Sequence, residues 1–176
     1  MTYPLTTFSS VITLSSSRTA DPASAGIDRF VGLEHIEPGS DCPISCSLDI
    51  FGDKWSLLII RDLMFLGKNT YGDFIKSAEG IATNILATRL LALEENGIIE
   101  KLEHPDSKAK NLYLLTQKGV DLLPLLVEIY LWSDKYFSVP AEIKAQIKEA
   151  KKDKNCQVKK LTKELTTQIK KIKNSN

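Results

Sequence analysis

The apolar residues of this chain change their period once, at Gly97, and that switch limits the folds open to it. Before it, Leu86, Leu90 and Leu93 recur at the spacing of a helix that buries one face. After it, Ile98, Glu100 and Leu102 alternate with Ile99, Lys101 and Glu103. A second run, Asn111-Leu112-Tyr113-Leu114-Leu115, follows the polar stretch Pro105-Asp106-Ser107-Lys108-Ala109-Lys110. The new period predicts a β-hairpin with a polar, partly basic tip, set directly behind a helix.

Upstream of that helix the rhythm is helical. Ile44, Leu48 and Phe51 predict a short first helix that Gly52 ends. Asp53 can cap a second, which runs through Trp55, Leu58, Ile59, Asp62 and Leu63 to Gly67, and a third covers 71–77. The tight link Glu79-Gly80-Ile81-Ala82-Thr83 joins the third helix to the fourth, so the pair forms a helix-turn-helix. Downstream of the hairpin, Thr116 caps a long apolar helix over 117–137, in which Pro124 should bend the axis or weaken one turn. This helix carries more apolar surface than one small domain needs, which predicts a homodimer. Residues 141–176 place Ile143, Ile147, Val158, Leu161, Leu165, Ile169 and Ile172 at helical spacing with lysines on the other faces. That pattern is a lysine-rich amphipathic tail helix, open to packing on a partner subunit, touching DNA or fraying.

Residues 1–40 differ in kind: they are rich in Ser, Thr, Pro and Gly, with apolar patches at 11–14 and 30–33 that allow short strands, and Pro38-Gly39-Ser40-Asp41 marks a boundary. The expected organisation is a leader over 1–40, poorly ordered or in short strands, a DNA-binding domain over 41–138 and a helical tail over 139–176. The fold class is mainly α with a small β-hairpin. No stretch approaches the roughly 20 apolar residues of a membrane-spanning helix. The N-terminus lacks the basic cluster and apolar run of a secretory signal. A cytoplasmic protein with no membrane partner is the expectation.

Charge is distributed unevenly. The net +1 of the whole chain divides into −2 over 1–40, −4 over 41–140 and +7 over 141–176, where eleven Lys meet four acids. The basic character therefore sits in the tail, and a DNA-binding role has to rest on where charges lie rather than on their sum. Three cysteines, Cys42, Cys46 and Cys156, and two histidines, His35 and His104, are too scattered for a zinc set, so no metal is expected. No nucleophile-base-orienter set, glycine-rich phosphate loop or HExxH motif occurs, so neither an enzyme nor a cofactor is expected.

In a helix-turn-helix the second helix enters the major groove and its N-terminal residues reach base edges. With Leu86, Leu90 and Leu93 on the buried side, Asn84 and Thr88 point the other way, flanked by Thr83 and Ala87. Asn84 has the amide that pairs with adenine, and Thr83 and Thr88 can bond to phosphate or base. Arg89, at the edge of the apolar face, can reach a phosphate or make an internal ion pair. Lys108 and Lys110 at the hairpin tip would reach flanking phosphates or the minor groove, and Lys54 is a further candidate phosphate contact or a plain solvated lysine.

The runs Cys42-Pro43, Gly52-Asp53-Lys54-Trp55-Ser56-Leu57-Leu58-Ile59-Ile60-Arg61-Asp62-Leu63, Arg89-Leu90-Leu91-Ala92-Leu93-Glu94-Glu95-Asn96-Gly97-Ile98-Ile99 and Tyr113-Leu114-Leu115-Thr116-Gln117-Lys118-Gly119 closely resemble the HxlR family of winged-helix regulators over 42–137. The resemblance implies a cytoplasmic dimer, MarR-like in fold, whose first and last core helices form the interface. It also implies that residues 83–89 read double-stranded DNA while the hairpin is the wing. Several members of that family sense oxidants or electrophiles through a cysteine at the position of Cys42, just before the first helix. The implied function is a sequence-specific transcriptional regulator, repressor or activator, open to a small-molecule or oxidant inducer. A second, shorter likeness covers residues 28–40, which resemble the opening of a target-recognition domain in a type I restriction specificity subunit. It keeps a restriction-modification accessory open as an alternative, beside a non-catalytic interaction module.

Overall fold

Local chemistry sets where the helices start. In the computed structural model, which describes residues 41–104 and 107–175, Asp53 accepts hydrogen bonds from the backbone N–H of Trp55 at 2.9 Å and of Ser56 at 3.1 Å. It thereby opens α2 (Lys54–Phe65), which follows α1 (Pro43–Phe51). Thr70 opens α3 (Tyr71–Ile75) with a reciprocal capping box: its hydroxyl accepts from Asp73 N at 3.2 Å and its own N–H donates to Asp73 Oδ2 at 3.1 Å. The hydroxyl of Thr70 holds Asp73 below its ordinary carboxylate range, more strongly than burial pushes it up. Helix α3 is shorter than expected because Ser77 leaves the helix and turns its hydroxyl to Asp62, 2.6 Å away.

The order continues with α4 (Thr83–Glu95), β1 (Ile99–His104), β2 (Ser107–Leu115), α5 (Gln117–Val120), α6 (Leu123–Tyr136), α7 (Ala141–Lys152) and α8 (Lys154–Asn174). Helices α3 and α4 are the helix-turn-helix, and the antiparallel pair β1–β2 is the wing that follows it. Thr70 bridges to Leu112, which ties the chain before α3 to the inner strand. Ile59 and Ile60 of α2, Phe74 of α3, and Leu86, Leu90 and Leu93 of α4 meet Ile99, Tyr113 and Leu115 in one buried core. The architecture is thus a mainly helical winged helix-turn-helix. The strands expected at 11–14 and 30–33 lie outside the described residues.

Three elements depart from the sequence expectation. The second strand is longer: β2 begins at Ser107, so Lys108 and Lys110 lie along the strand rather than in the loop before it. The register jumps between Glu103, opposite Asn111, and His104, opposite Ser107, so the two lysines fall in an irregular bulge that a period-two reading does not anticipate. The expected helix over 117–137 is divided into α5 and α6 at Asp121-Leu122. The division puts Pro124 in the first turn of α6, where its missing N–H breaks no hydrogen bond. The tail pattern is carried by two helices rather than one, because Asp153 leaves helical geometry and caps α8 by accepting from Cys156 N at 2.9 Å.

The tail folds back on its own domain. Ile147, Ala150 and Leu165 are buried, and ion pairs join Lys151 to Asp134 at 2.6 Å, Lys154 to Glu128, and Lys173 to Glu100 at 2.5 Å. Glu100 and Leu114 are cross-strand partners, and Leu165, Ile169 and Ile172 of α8 line a small cavity with Leu114 and Leu63. Helix α8 therefore packs beside the hairpin at Glu100 and Leu114, and Leu112 to Leu115 are all buried instead of alternating. No described helix is long and apolar enough to cross a membrane.

Candidate nucleic-acid interface

Helix α4 buries Leu86, Leu90 and Leu93 and leaves Thr83, Asn84, Ala87 and Thr88 exposed on the opposite side, so the expected reading face is assembled. Ala82 at its N-cap supplies no side-chain hydrogen bond, which leaves the first amides of α4 to outside acceptors. The hydroxyl of Tyr71 donates to Thr83 O at 2.9 Å, fixing the start of the helix to α3. Thr88 donates its hydroxyl to Asn84 O at 2.9 Å and keeps its lone pairs for a donor.

The cations stand differently from one another. Arg89 turns inward and lies with Nε 3.3 Å from Asp53 Oδ1, the internal ion pair of its two expected roles, pinning α4 to the start of α2. Burial pushes the Asp53 carboxyl up, but the hydrogen bonds from Ser56 and the charge of Arg89 outweigh it and hold the group below its ordinary range. Lys54 lies 4.6 Å over the Trp55 ring. Lys110 is exposed and shares an open cleft with Lys76, His104 and the N-terminus of α3. The side chain of Lys108 lies outside the described part. Lys76, at the end of α3, is a cation that the sequence reading passed over, since it has no place in the spacing of either helix.

An ionic cluster built around the buried Asp62 was also unforeseen. Asp62, 2% exposed, accepts from Arg61 through Oδ1, and through Oδ2 from Lys68 at 3.2 Å and Ser77 at 2.6 Å. Arg61 reaches on to Glu79 in the turn before α4, at 2.5 Å. The cluster therefore joins α2 to both ends of the turn that sets the direction of α4. Its signal in the sequence was an adjacent Arg61-Asp62 inside an otherwise apolar helix. The Arg61 guanidinium lowers the Glu79 carboxyl from 4.5 to about 2. The folded chain thus holds Glu79 charged where an unfolded chain would protonate it, so this stabilisation is present above about pH 4.5 and fades as pH falls towards 2. The urea midpoint should drop between about pH 5 and about pH 3, and drop less in Glu79→Gln; equal drops would remove the ion pair as the cause.

Cys42 is exposed at the N-cap of α1, Cys46 lies partly buried one turn on, and Cys156 is exposed in α8. Among the described residues no group of three or more His, Cys, Asp or Glu side chains is placed to hold a metal ion.

The profile of the HxlR-like helix-turn-helix family matches residues 50–140, from the end of α1 to the residue before α7. The chain belongs to this family. An uncharacterised HTH-type transcriptional regulator of Synechocystis, sll1512, is 34% identical over 95 residues, which are 54% of this chain and 70% of that protein. The HTH-type transcriptional regulator YodB of Bacillus subtilis is 32% identical over 96 residues, covering 54% of this chain and 85% of YodB. Among solved structures, PA1607, reported as a candidate transcription factor, superposes with a TM-score of 0.52 at 44% identity over 58% of this chain and 70% of its own. This HxlR-family chain is accordingly a DNA-binding helix-turn-helix transcriptional regulator. Its family match ends where α7 begins, so α7 and α8 lie outside the matched residues. The likeness of residues 28–40 to a restriction specificity subunit lies outside both the matched and the described residues, and these comparisons give it no support.

Proposed function

We propose that this HxlR-family regulator acts in the cytoplasm, without catalysis, as a homodimer that binds specific operator DNA. In this reading 41–138 is the DNA-binding domain, 139–176 a helical tail and 1–40 a leader. The observation that carries it is the exposed, small and polar face of α4, Thr83, Asn84, Ala87 and Thr88, presented by a helix-turn-helix with a wing beside it. Asn84 reads base edges, Thr83 and Thr88 bond to base or phosphate, and Ala87 lets the helix approach closely. Lys54, Lys108 and Lys110 hold phosphates, and Arg89 sets the pitch of α4 through Asp53. Reversing both wing lysines should weaken binding to every sequence and flatten its salt dependence, whereas Asn84→Ala should change which sequence is preferred. Gel-shift titrations against the DNA upstream of its own gene and an unrelated fragment separate the two. If both variants bind like the parent, the face is misassigned.

Dimerisation rests on unpartnered apolar surface: Ile44 is 70% and Leu48 56% exposed on α1, and Trp132 is 54% exposed on α6 beside Tyr136 and Phe137. Exposed apolar area of this kind marks an interface. Sedimentation at micromolar concentration should give a dimer for the parent and a monomer for a Leu48→Asp, Trp132→Asp double variant; a monomeric parent would contradict the reading. Cys42, exposed where α1 begins, is the candidate sensor, since oxidation there would act on that same surface. Electrophile treatment should change operator affinity in the parent and leave Cys42→Ser unaffected.

A further inference from the structure

Helix α8 buries Leu165 and half-buries Val158, Leu161, Ile169 and Ile172 along one side. At 3.6 residues per turn, Lys159, Lys163 and Lys170 then fall in line on the opposite side, with Lys160 and Lys171 next to them. All five are exposed, and none makes an ion pair among the described residues. Other lysines fasten the tail to the domain: Lys151 to Asp134, Lys154 to Glu128 and Lys173 to Glu100. Glu164 is the one acid of α8. The outer face of this helix is therefore a row of cations that the fold itself does not use.

We propose that this lysine face is a second, sequence-independent DNA-binding surface that takes the phosphates of duplex flanking the operator, a role that rests on the DNA-binding reading above. Residues 41–140, which hold the helix-turn-helix and the wing, carry a net charge of −4, whereas 141–176 carry +7. The reading domain thus lacks the cationic surplus from which phosphate affinity is normally drawn, and the tail supplies it. The cations are aligned before any ligand arrives: from Lys159 to Lys170 the helix rises about 16 Å, the length of about five base pairs. The row is also attached to the wing, since Lys173 at its end holds Glu100 of β1 at 2.5 Å. An anionic bilayer suits this helix less well. An amphipathic helix enters a membrane by its apolar side, and here Val158, Leu161, Leu165 and Ile169 are packed into the core of the chain.

Anisotropy titrations of the full chain with two labelled duplexes of equal length, the DNA upstream of its own gene and an unrelated sequence, test this. Replacing Lys159, Lys160, Lys163, Lys170 and Lys171 together by Gln should weaken binding to both by about tenfold or more at about 0.1 M salt, and leave their ratio unchanged. The slope of log affinity against log salt should become shallower by about two to four. Lys163→Gln with Lys170→Gln should lose about fivefold or more, and Lys144→Gln with Lys148→Gln, which removes the same charge from α7, should lose less. Equal losses in the two double variants assign the effect to net charge and overturn the α8 face. Unchanged affinity and slope in the five-lysine variant, with a parent that prefers the upstream duplex, overturn it too and leave the reading face of α4 standing. A parent that binds both duplexes equally, and a variant that loses both, support the α8 face and overturn the operator reading. A parent that binds neither duplex overturns both. Parent binding to vesicles of phosphatidylserine in phosphatidylcholine, lost in a five-lysine variant whose DNA affinity is unchanged, assigns the face to lipid and overturns the proposal.

Discussion

Replacing Asp62 with alanine should lower the stability of this regulator by about 3–5 kcal/mol, the usual result of removing one member of a buried charge cluster. Asp62 is almost wholly enclosed and receives Arg61, Lys68 and Ser77. Without it, two cations that are only 20% and 25% exposed keep Glu79 as their sole acidic neighbour in the cluster. The loss arises less from a missing bond than from charge left dry without compensation. Asp62→Asn, which keeps the shape and some hydrogen bonds, should lose less, about 1–3 kcal/mol. Urea denaturation measures both, and a loss under about 1 kcal/mol for Asp62→Ala would show that water reaches the cluster. DNA affinity should fall in parallel, because the same carboxylate anchors Ser77 at the entrance to the turn before α4.

Gly119→Ala should be nearly as damaging, about 3 kcal/mol, at the upper end of ordinary overpacking. A Cβ on Gly119 would stand 2.3 Å from the carbonyl oxygen of Ile98 and 2.9 Å from Leu115 Cδ2. The surrounding bonds resist a shift: Thr116 donates to Gly97 O at 2.6 Å and accepts from Gly119 N at 3.2 Å, while Lys118 donates to Asn96 O at 2.8 Å. Together they fasten α5 over the end of α4 and the start of the hairpin. Gly80→Ala is the informative control. Gly80 has φ +67° with nothing within 4 Å of an added Cβ, so the same substitution there should lose only about 1 kcal/mol, from backbone conformation alone. Equal losses at the two glycines, read from denaturation midpoints, would contradict the close-approach explanation.

Much of the fold was legible locally. Asp53 caps the helix it was expected to cap, and Thr116 caps α5, the first part of its expected helix. Leu86, Leu90 and Leu93 are buried as their spacing required, which leaves Asn84 and Thr88 on the outside. Periodicity and capping depend on residues within one or two turns of each other, and so they survive into the folded state. The extent of β2 was not legible, because its bulge is set by how two strands register and not by alternation within either. The tail was read as amphipathic, yet nothing local said that its apolar side would lie beside the hairpin.

The amino-acid order by itself determined the helix-turn-helix, the wing behind it, the polar face of α4 and the family. Each of these is written in side-chain period and in short motifs. The tertiary structure alone decided that Arg89 turns inward to Asp53 and that Arg61, Asp62, Lys68, Ser77 and Glu79 converge on one turn. The cluster joins residues up to eighteen positions apart, and the Arg89–Asp53 pair joins two helices that lie further apart still in the chain. Whether such groups meet is settled by the packing of helices, since no local preference of the chain encodes a distance between separate elements.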